Sequence, residues 1–262
     1  MQLKTILAFS ILLSKGLFAQ TLTPAQIVDK AQEAIKVKGI EAVSTMRILD
    51  DKGNERVRTI AQITKVYDNG DTEKRMIRFM SPADVKNTGL LTFDYKSKDD
   101  DIWLYMPALR KTRRIVSSDK SKNFMGSEFS YADMTPPSLD EFDFQMLDDE
   151  EVRGALCYQI VWIPKTEEVA EENGFSKRIT WIGKDDFVIR KAIYEDVDGE
   201  PLKELNVYEI REMDPENHTY RMIHMEMENL QNGRKSIMDV DKIRFNPDVS
   251  DESFTTRFLE KE

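Results

Sequence analysis

Side chains able to do acid–base, nucleophilic or metal chemistry are few in this sequence, and their spacing suits none of the three. Two histidines and one cysteine occur among 262 residues. His218 and His224 lie six apart in a segment with strand-like alternation, which places both on one face. A metal there would need a third ligand, and Glu226 is the available neighbour. No HExxH or comparable ligand spacing exists, so the pair reads as a polar strand face and no metal is expected. Asp239 and Asp241 also share a strand face, but a general acid–base pair requires a geometry that spacing alone does not supply. Cys157 lies in the apolar run Ala155 to Ile163 and reads as a buried, inert thiol. GxSxG, P-loop and GxGxxG patterns are missing from the sequence. The carboxylate runs Asp99-Asp100-Asp101 and Asp148-Asp149-Glu150-Glu151 read as solvated turns. No catalytic residue and no cofactor is expected.

Two segments stand above this background. In Asp101 to Ile115, Trp103 and Tyr105 share one strand face, and Ile102, Leu104 and Met106 share the other. Pro107 interrupts the alternation. Arg110, Lys111, Arg113 and Arg114 then form the densest basic cluster of the chain, suited to anionic headgroups or an acidic protein surface. The other reading of the cluster is a solvated strand end paired with acids such as Asp99 to Asp101. The second segment, Asn123 to Met134, holds Phe124, Met125, Phe129, Tyr131 and Met134 among loop-forming Gly126, Ser127 and Ser130, with Pro136-Pro137 after it. A loop this apolar must cover something, either the protein's own core or a ligand.

The elements that would position these segments are mostly strands. Thr23-Pro24 starts a helix, with Thr as N-cap and Pro at its first position, and Gly39 ends that segment. Period-two alternation then takes over. Ala42, Ser44, Met46 and Ile48 share one face, and Val57, Ala61 and Ile63 share a face of the next strand. Asn69-Gly70, Asp198-Gly199 and Asn232-Gly233 are two-residue hairpin signals. Strands are expected at 75–80, 88–95, 101–106, 111–116, 154–163, 175–182, 187–197, 201–213, 218–229 and 234–245. Strand–helix–strand alternation is missing, so a parallel doubly wound sheet is excluded. About a dozen strands make a mainly β protein with one large, curved antiparallel sheet, because long strands twist. Its concave side needs a cover, and the first helix and residues 118–140 are available for it. Several strands carry large apolar groups on both faces, as in Met76/Ile77/Phe79/Met80, which exceeds what a sheet with one wet face needs.

The first 19 residues read as a secretory leader. A basic start at Lys4, an apolar run from Thr5 to Leu13, and Leu17-Phe18-Ala19 before a cut have that form. Residues 20–262 then form a single domain, placed in the periplasm. The 38 basic residues less Lys4 and Lys15 leave 36 against 48 acidic ones, a charge of −12. That balance excludes wholesale nucleic-acid binding. The 13 methionines are consistent with an adaptable apolar surface, although scattered methionine also serves ordinary cores.

At the two central segments the sequence resembles a known family. The pattern Trp103-x-Tyr105-x-Pro107-x-x-Arg110-x-x-Arg113-Arg114-Ile115, followed by Phe124-Met-Gly-Ser-Glu-Phe-Ser-Tyr-Ala-Asp-Met134, resembles the outer membrane lipoprotein-sorting proteins, relatives of the periplasmic carrier LolA. The resemblance implies an incomplete β-barrel closed by helices, and a cavity for lipid or lipoprotein acyl chains. It implies transport between envelope membranes, with an RND-type inner membrane exporter and an outer membrane acceptor as partners. The expected lining is Met76, Phe79, Met80, Leu91, Phe93, Trp103, Tyr105 and Met106, covered by a flap of Phe124, Met125, Phe129, Tyr131 and Met134. Arg110, Lys111, Arg113 and Arg114 are the expected docking cluster, and the protein is expected to be monomeric. Two other classes stay open: an envelope stress-sensing or regulatory module of related fold, and an enzyme with a dispersed acid–base pair.

Overall fold

The computed structural model describes residues 22–96 and 98–261. The expected leader therefore lies outside the described residues. A helix, α1 (Pro24–Ala34), opens the described chain. Thr23 and Gln26 cap it reciprocally, each side chain bonding the other's backbone N–H, which satisfies two donors that the first turn leaves free. Six strands follow: β1 (Gly39–Leu49), β2 (Glu55–Tyr67), β3 (Thr72–Ser81), β4 (Gly89–Tyr95), β5 (Asp101–Met106) and β6 (Lys111–Ile115). A short turn of helix, α2 (Ser117–Lys120), begins an irregular stretch broken by three 3₁₀ turns. The second half contains β7 (Phe142–Met146), β8 (Glu150–Val152), β9 (Ala155–Pro164), α3 (Glu167–Asn173), β10 (Lys177–Gly183), β11 (Ile189–Glu195), β12 (Pro201–Asp214), β13 (Thr219–Asn229) and β14 (Lys235–Phe245). A C-terminal strap ends in α4 (Thr256–Leu259).

All the strands join one antiparallel sheet in the order β6-β5-β4-β3-β2-β1-β14-β13-β12-β11-β10-β9-β7, with β8 also on β9. The two ends of the order are not paired, so the sheet curves without closing. The expected mainly β fold is thus observed, with a helix and an irregular segment on its inner side. At the centre, β13 and β14 pair only from His224–Asp239 to Glu228–Lys235, and beyond that point the strands part.

The hairpin corners differ from expectation. None of the three signals makes a two-residue turn: the β2–β3 connection spans 68–71, β11–β12 spans 196–200, and β13–β14 spans 230–234. A side-chain acceptor heads the β11–β12 and β13–β14 corners, and the β1–β2 corner as well. Asp50 accepts from the N–H groups of Lys52 and Asn54, Asp196 from Asp198 and Glu200, and Asn229 from Gln231 and Asn232. Such bonds satisfy corner donors locally and favour the longer loop. His218 also departs from expectation: it sits in the turn before β13 with φ 49°, facing Glu212 at 3.3 Å, and is not on the strand that carries His224. The acidic run at 148–151 contributes two residues to β8, where Glu150 accepts from the Trp181 indole at 2.8 Å.

The inner face of β1–β6 carries Met46, Ile48, Ile60, Ile77, Phe79, Leu90, Ile102, Leu104 and Ile115, packed under Phe124 and Tyr131. Under α1, the inner face of the second half carries Ile160, Trp162, Ile182, Tyr194 and Met227, which pack with Ile27, Val28 and Phe129. The outer face of β3–β5 is apolar too. Met76, Leu91 and Tyr105 are buried there beneath Val249, Phe254 and Leu259 of the strap. Arg78 fastens the strap by donating to the carbonyls of Phe258, Leu259 and Lys261 at the end of α4. Carbonyls at a helix C-terminus are short of donors within the helix, so a cation is well placed there. Leu259 is fully buried, and a Cβ on Gly89 would lie 2.6 Å from its Cδ1, so glycine permits that close approach. Leu259→Ala is expected to cost about 2–5 kcal/mol in urea unfolding, as for other large-to-small core changes.

Candidate functional site

Residues 118–140 occupy the concave side, and polar anchors from five parts of the sheet hold them. Because this segment is irregular, many of its backbone groups lack secondary-structure partners, and burial makes each one costly. Side chains of the sheet supply the partners. Arg58 of β2 donates to the Met125 carbonyl, and Arg75 of β3 donates to the Met134 carbonyl. Arg234, beside β14, donates to the Gly126 carbonyl at 3.0 Å and lies 3.0 Å from the buried Glu128 carboxylate. Asn229 donates to Glu128 as well, and Ser236 Oγ accepts from the Glu128 N–H at 2.9 Å. Lys203 of β12 reaches Asp133 at 2.7 Å, while Asp133 also accepts from Ser130. Burial would push the Asp133 carboxyl up, but Lys203 and the Ser130 bonds outweigh it and hold the group below the usual carboxylate range. Apolar contacts complete the fit: Phe124 lies 5.7 Å from Phe79 and 5.7 Å from Tyr131, ring centre to ring centre.

The expected lining divides between two faces. Phe79 and Met106 meet Phe124, Met125, Tyr131 and Met134 on the inner side. Phe129 joins the neighbouring cluster under α1, and Met134 touches both clusters. Met76, Leu91, Phe93, Trp103 and Tyr105 lie on the outer side, against the strap. Met80 is 45% exposed and belongs to neither cluster. The division follows from the pleat, since residues one or three apart on a strand point to opposite faces. The concave space among the described residues is filled by the chain's own side chains. Two open hollows, of about 610 and 460 Å³, contain none of the expected lining residues; Ser118 and Ser121, at the start of the central segment, border the second.

A second group, unforeseen from the sequence, sits at one end of the concave face. Asp94 of β4, Asp100 of the β4–β5 loop, and Glu73 and Arg75 of β3 approach Arg221 of β13 and Lys120 of α2. Lys120 pairs with Asp100 at 3.7 Å and with Glu172 of α3 at 2.5 Å. Asp100 therefore departs from the solvated turn expected at 99–101, and it also accepts from Thr135 of the central segment. Burial, then the nearby charges of Asp100 and Glu73, push the Asp94 carboxyl up to about 7. Acidic and basic residues at exposed positions look the same in sequence as these, so only the strand-face alternation of Glu73 and Arg75 with Ile77 and Phe79 carried a signal.

The remaining candidates are dispersed. Arg110 and Lys111 are exposed at the β5–β6 corner beside Leu109, itself 60% exposed, and have no ion-pair partner among the described residues. Arg113 pairs with Asp119 at 3.0 Å, and Arg114 pairs with Asp101. His224 lies between Asp239 and Glu226 on the outer face, Asp239 also pairs with Arg47, and Asp241 accepts from Thr45. Among the described residues no group of side chains could hold a metal, and no helix is long and apolar enough to cross a membrane. Cys157 is fully buried, and its burial pushes the thiol pKa up, as a structural cysteine requires.

A family model described as "Uncharacterized protein" matches residues 71–261. The chain belongs to that family. Its match spans β3 to the strap and so includes the central segment and both of its basic and apolar motifs. Among solved structures, the chain is similar to one described as an outer membrane lipoprotein-sorting protein domain from Vibrio parahaemolyticus, at 26% identity and a TM-score of 0.81, covering 90% of this chain and 98% of that one. A DUF1329 family protein from Desulfovibrio piger is similar at 26% identity and a TM-score of 0.82, with 90% and 97% covered. A LolA superfamily protein from Nitrosomonas europaea shares the fold at 18% identity and a TM-score of 0.68, with 91% and 100% covered. The resemblance read from the central motifs is therefore also a resemblance of fold. Among curated proteins, none matches the sequence.

Two outcomes follow from this geometry. Lys203→Met leaves Asp133 buried without its cation and is expected to cost about 3–5 kcal/mol in chemical unfolding, with much of the loss recovered in the double variant Asp133→Asn/Lys203→Met. For Asp94, the unfolded carboxyl releases its proton near 3.8 and the folded one near 7. Between those values the folded protein holds a proton that the unfolded chain has lost, so this group's contribution is greatest at low pH and falls as pH rises to about 7. Asp94→Asn should therefore gain thermal stability relative to the native protein at pH 8 and show little gain at pH 4.

Proposed function

We propose that this protein is a periplasmic carrier, exported by residues 1–19 and built as a single domain from 20 to 262. It would hold lipid or lipoprotein acyl chains on the concave side of the open sheet. The observation that carries this reading is the cover: an apolar, irregular segment, tied to the sheet by individual polar anchors, packs against the concave face of a sheet that does not close. Its similarity to a structure described as a lipoprotein-sorting domain supports the same reading. Acyl chains would replace Phe124, Met125, Tyr131 and Met134 against Phe79 and Met106, and Phe129 under α1, as the segment lifts. Each methylene so buried is worth about 0.8 kcal/mol, which gives a carrier its affinity without a reaction. The outward-facing residues Met76, Leu91, Phe93, Trp103 and Tyr105 would serve the strap in this scheme, and the inner ones the cargo.

Arg110 and Lys111, with Leu109 between the basic tip and Pro107, would dock on an anionic membrane or on an acidic face of an exporter. Arg113 and Arg114, already paired with acids, would shape that corner. An RND-type inner membrane exporter and an outer membrane acceptor are the partners this cycle calls for, with the protein acting as a monomer. Extraction of lipid from the exported protein, followed by mass spectrometry, should recover a chain-bearing lipid, and the protein should move labelled lipid between vesicles. Arg110→Gln/Lys111→Gln should weaken loading from anionic vesicles about thirtyfold at low salt, since each basic residue near such a surface is worth about 1 kcal/mol. Absence of both copurified lipid and transfer of any chain-bearing lipid would overturn the reading.

A further inference from the structure

The seam between β13 and β14 opens into a fork. The two strands pair from Glu228–Lys235 to His224–Asp239. Beyond that point both stay extended, but 219–222 pair only with β12 and 240–245 only with β1. Among the described residues no backbone hydrogen bond joins the two facing edges. Three residues are left out of register at this level. Tyr208 of β12 and Ile223 of β13 have no partner across their pair, and Asp241 is the extra residue of β14 against β1. Such bulges bend a strand and re-aim its side chains. All three residues line the open hollow of about 610 Å³, together with His224 and Asp239, the last pair of the seam. Ile223 is buried and Tyr208 is 51% exposed, so the hollow has an apolar floor and an aromatic rim.

The charges of the hollow are unequally matched. Glu209 pairs with Arg211 at 2.7 Å, and Asp239 pairs with Arg47 at 3.1 Å. Asp241 accepts from Thr45 Oγ1 at 2.8 Å and has no cation in ion-pair distance among the described residues. The hollow therefore favours a basic occupant. Extended edges without partners also present rows of N–H and C=O groups, which a further strand satisfies.

We propose that the fork is a docking slot for an extended, basic peptide segment of a partner protein, which adds a strand between β13 and β14. Main-chain bonds to the two edges supply affinity, and alternate side chains supply specificity. About five residues fit along the edges, roughly 17 Å of strand. One set of side chains lies over Ile223, and a lysine or arginine of the other set meets Asp241. The slot is separate from the concave side and does not depend on the carrier reading.

The test uses the whole protein and a labelled peptide, acetyl-Val-Thr-Val-Lys-Val-Thr-Val-amide. Two controls accompany it: the same peptide with glutamate for lysine, and the same peptide N-methylated at alternate residues, which removes the donors facing one edge. The protein should bind the lysine peptide at least tenfold more tightly than either control. Amide hydrogen exchange should slow in both 219–223 and 240–245 when it binds. Asp241 is exposed, so Asp241→Lys should leave thermal unfolding unchanged while reversing the preference between the lysine and glutamate peptides. No saturable binding, or binding that slows exchange on one edge or neither, overturns the slot. Protection of both edges that grows with protein concentration before any peptide is added assigns the fork to a second copy of this chain and overturns the foreign partner. None of these readouts involves lipid, so the carrier reading stands or falls separately.

Discussion

A sheet with apolar side chains on both faces must find two covers when it cannot close on itself. Over β3–β5 this protein meets that constraint twice. Ile77, Phe79, Leu90 and Leu104 need cover on the concave side, and Met76, Leu91 and Tyr105 need it on the convex side. Both covers come from distant parts of the chain: residues 118–140 on the inside and the strap ending in α4 on the outside. The hydrophobic effect drives each contact in proportion to the area removed from water, but it does not specify how an irregular segment should lie.

Polar anchors give that specification. Arg58, Arg75 and Arg234 each donate to a backbone carbonyl of the central segment, and Arg78 does the same for the strap. Arginine suits the task because its planar fork serves two acceptors at once and its stem packs along apolar neighbours. Arg58 shows both properties, lying over the Phe79 ring at 5.6 Å while bonding Met125. The inner cover is thus held by discrete contacts that can break one at a time. That separates it from the sheet, whose strands share continuous ladders, and it gives a carrier an element that can yield while the frame stays intact.

Most of the frame was legible in the residues. Period-two alternation located nearly all the strands, Thr23-Pro24 located α1, and the apolar motif at 123–134 marked the inner cover. The signals that failed are instructive. Asn69-Gly70 suggested the tightest hairpin, yet the chain uses a four-residue corner with Asp68 at φ 52°. His218 falls in the turn of residues 215–218 that joins β12 to β13, because pairing ends at Asp214 and Thr219. Asp94, Asp100 and Arg221 went unrecognised because a charged residue at a strand end reads as surface unless its surroundings are known.

The sequence by itself determined which residues alternate, where the chain turns, and that the apolar surface exceeds what one wet-faced sheet can use. These are local properties, set by the pleat and by the backbone preferences of a few residues. Tertiary structure alone decided which face each set of side chains would serve. Met76 and Phe79 look equivalent along β3, but one meets the strap and the other meets Phe124. Pairing among β3, β2 and β4 leaves that choice open; it is made by segments about 45 and 180 residues further along the chain. Likewise, Asp100 and Glu172 lie far apart in sequence and meet at Lys120 only when the two halves of the sheet curve toward each other. Curvature and burial are properties of the whole sheet, and no short stretch of sequence contains them.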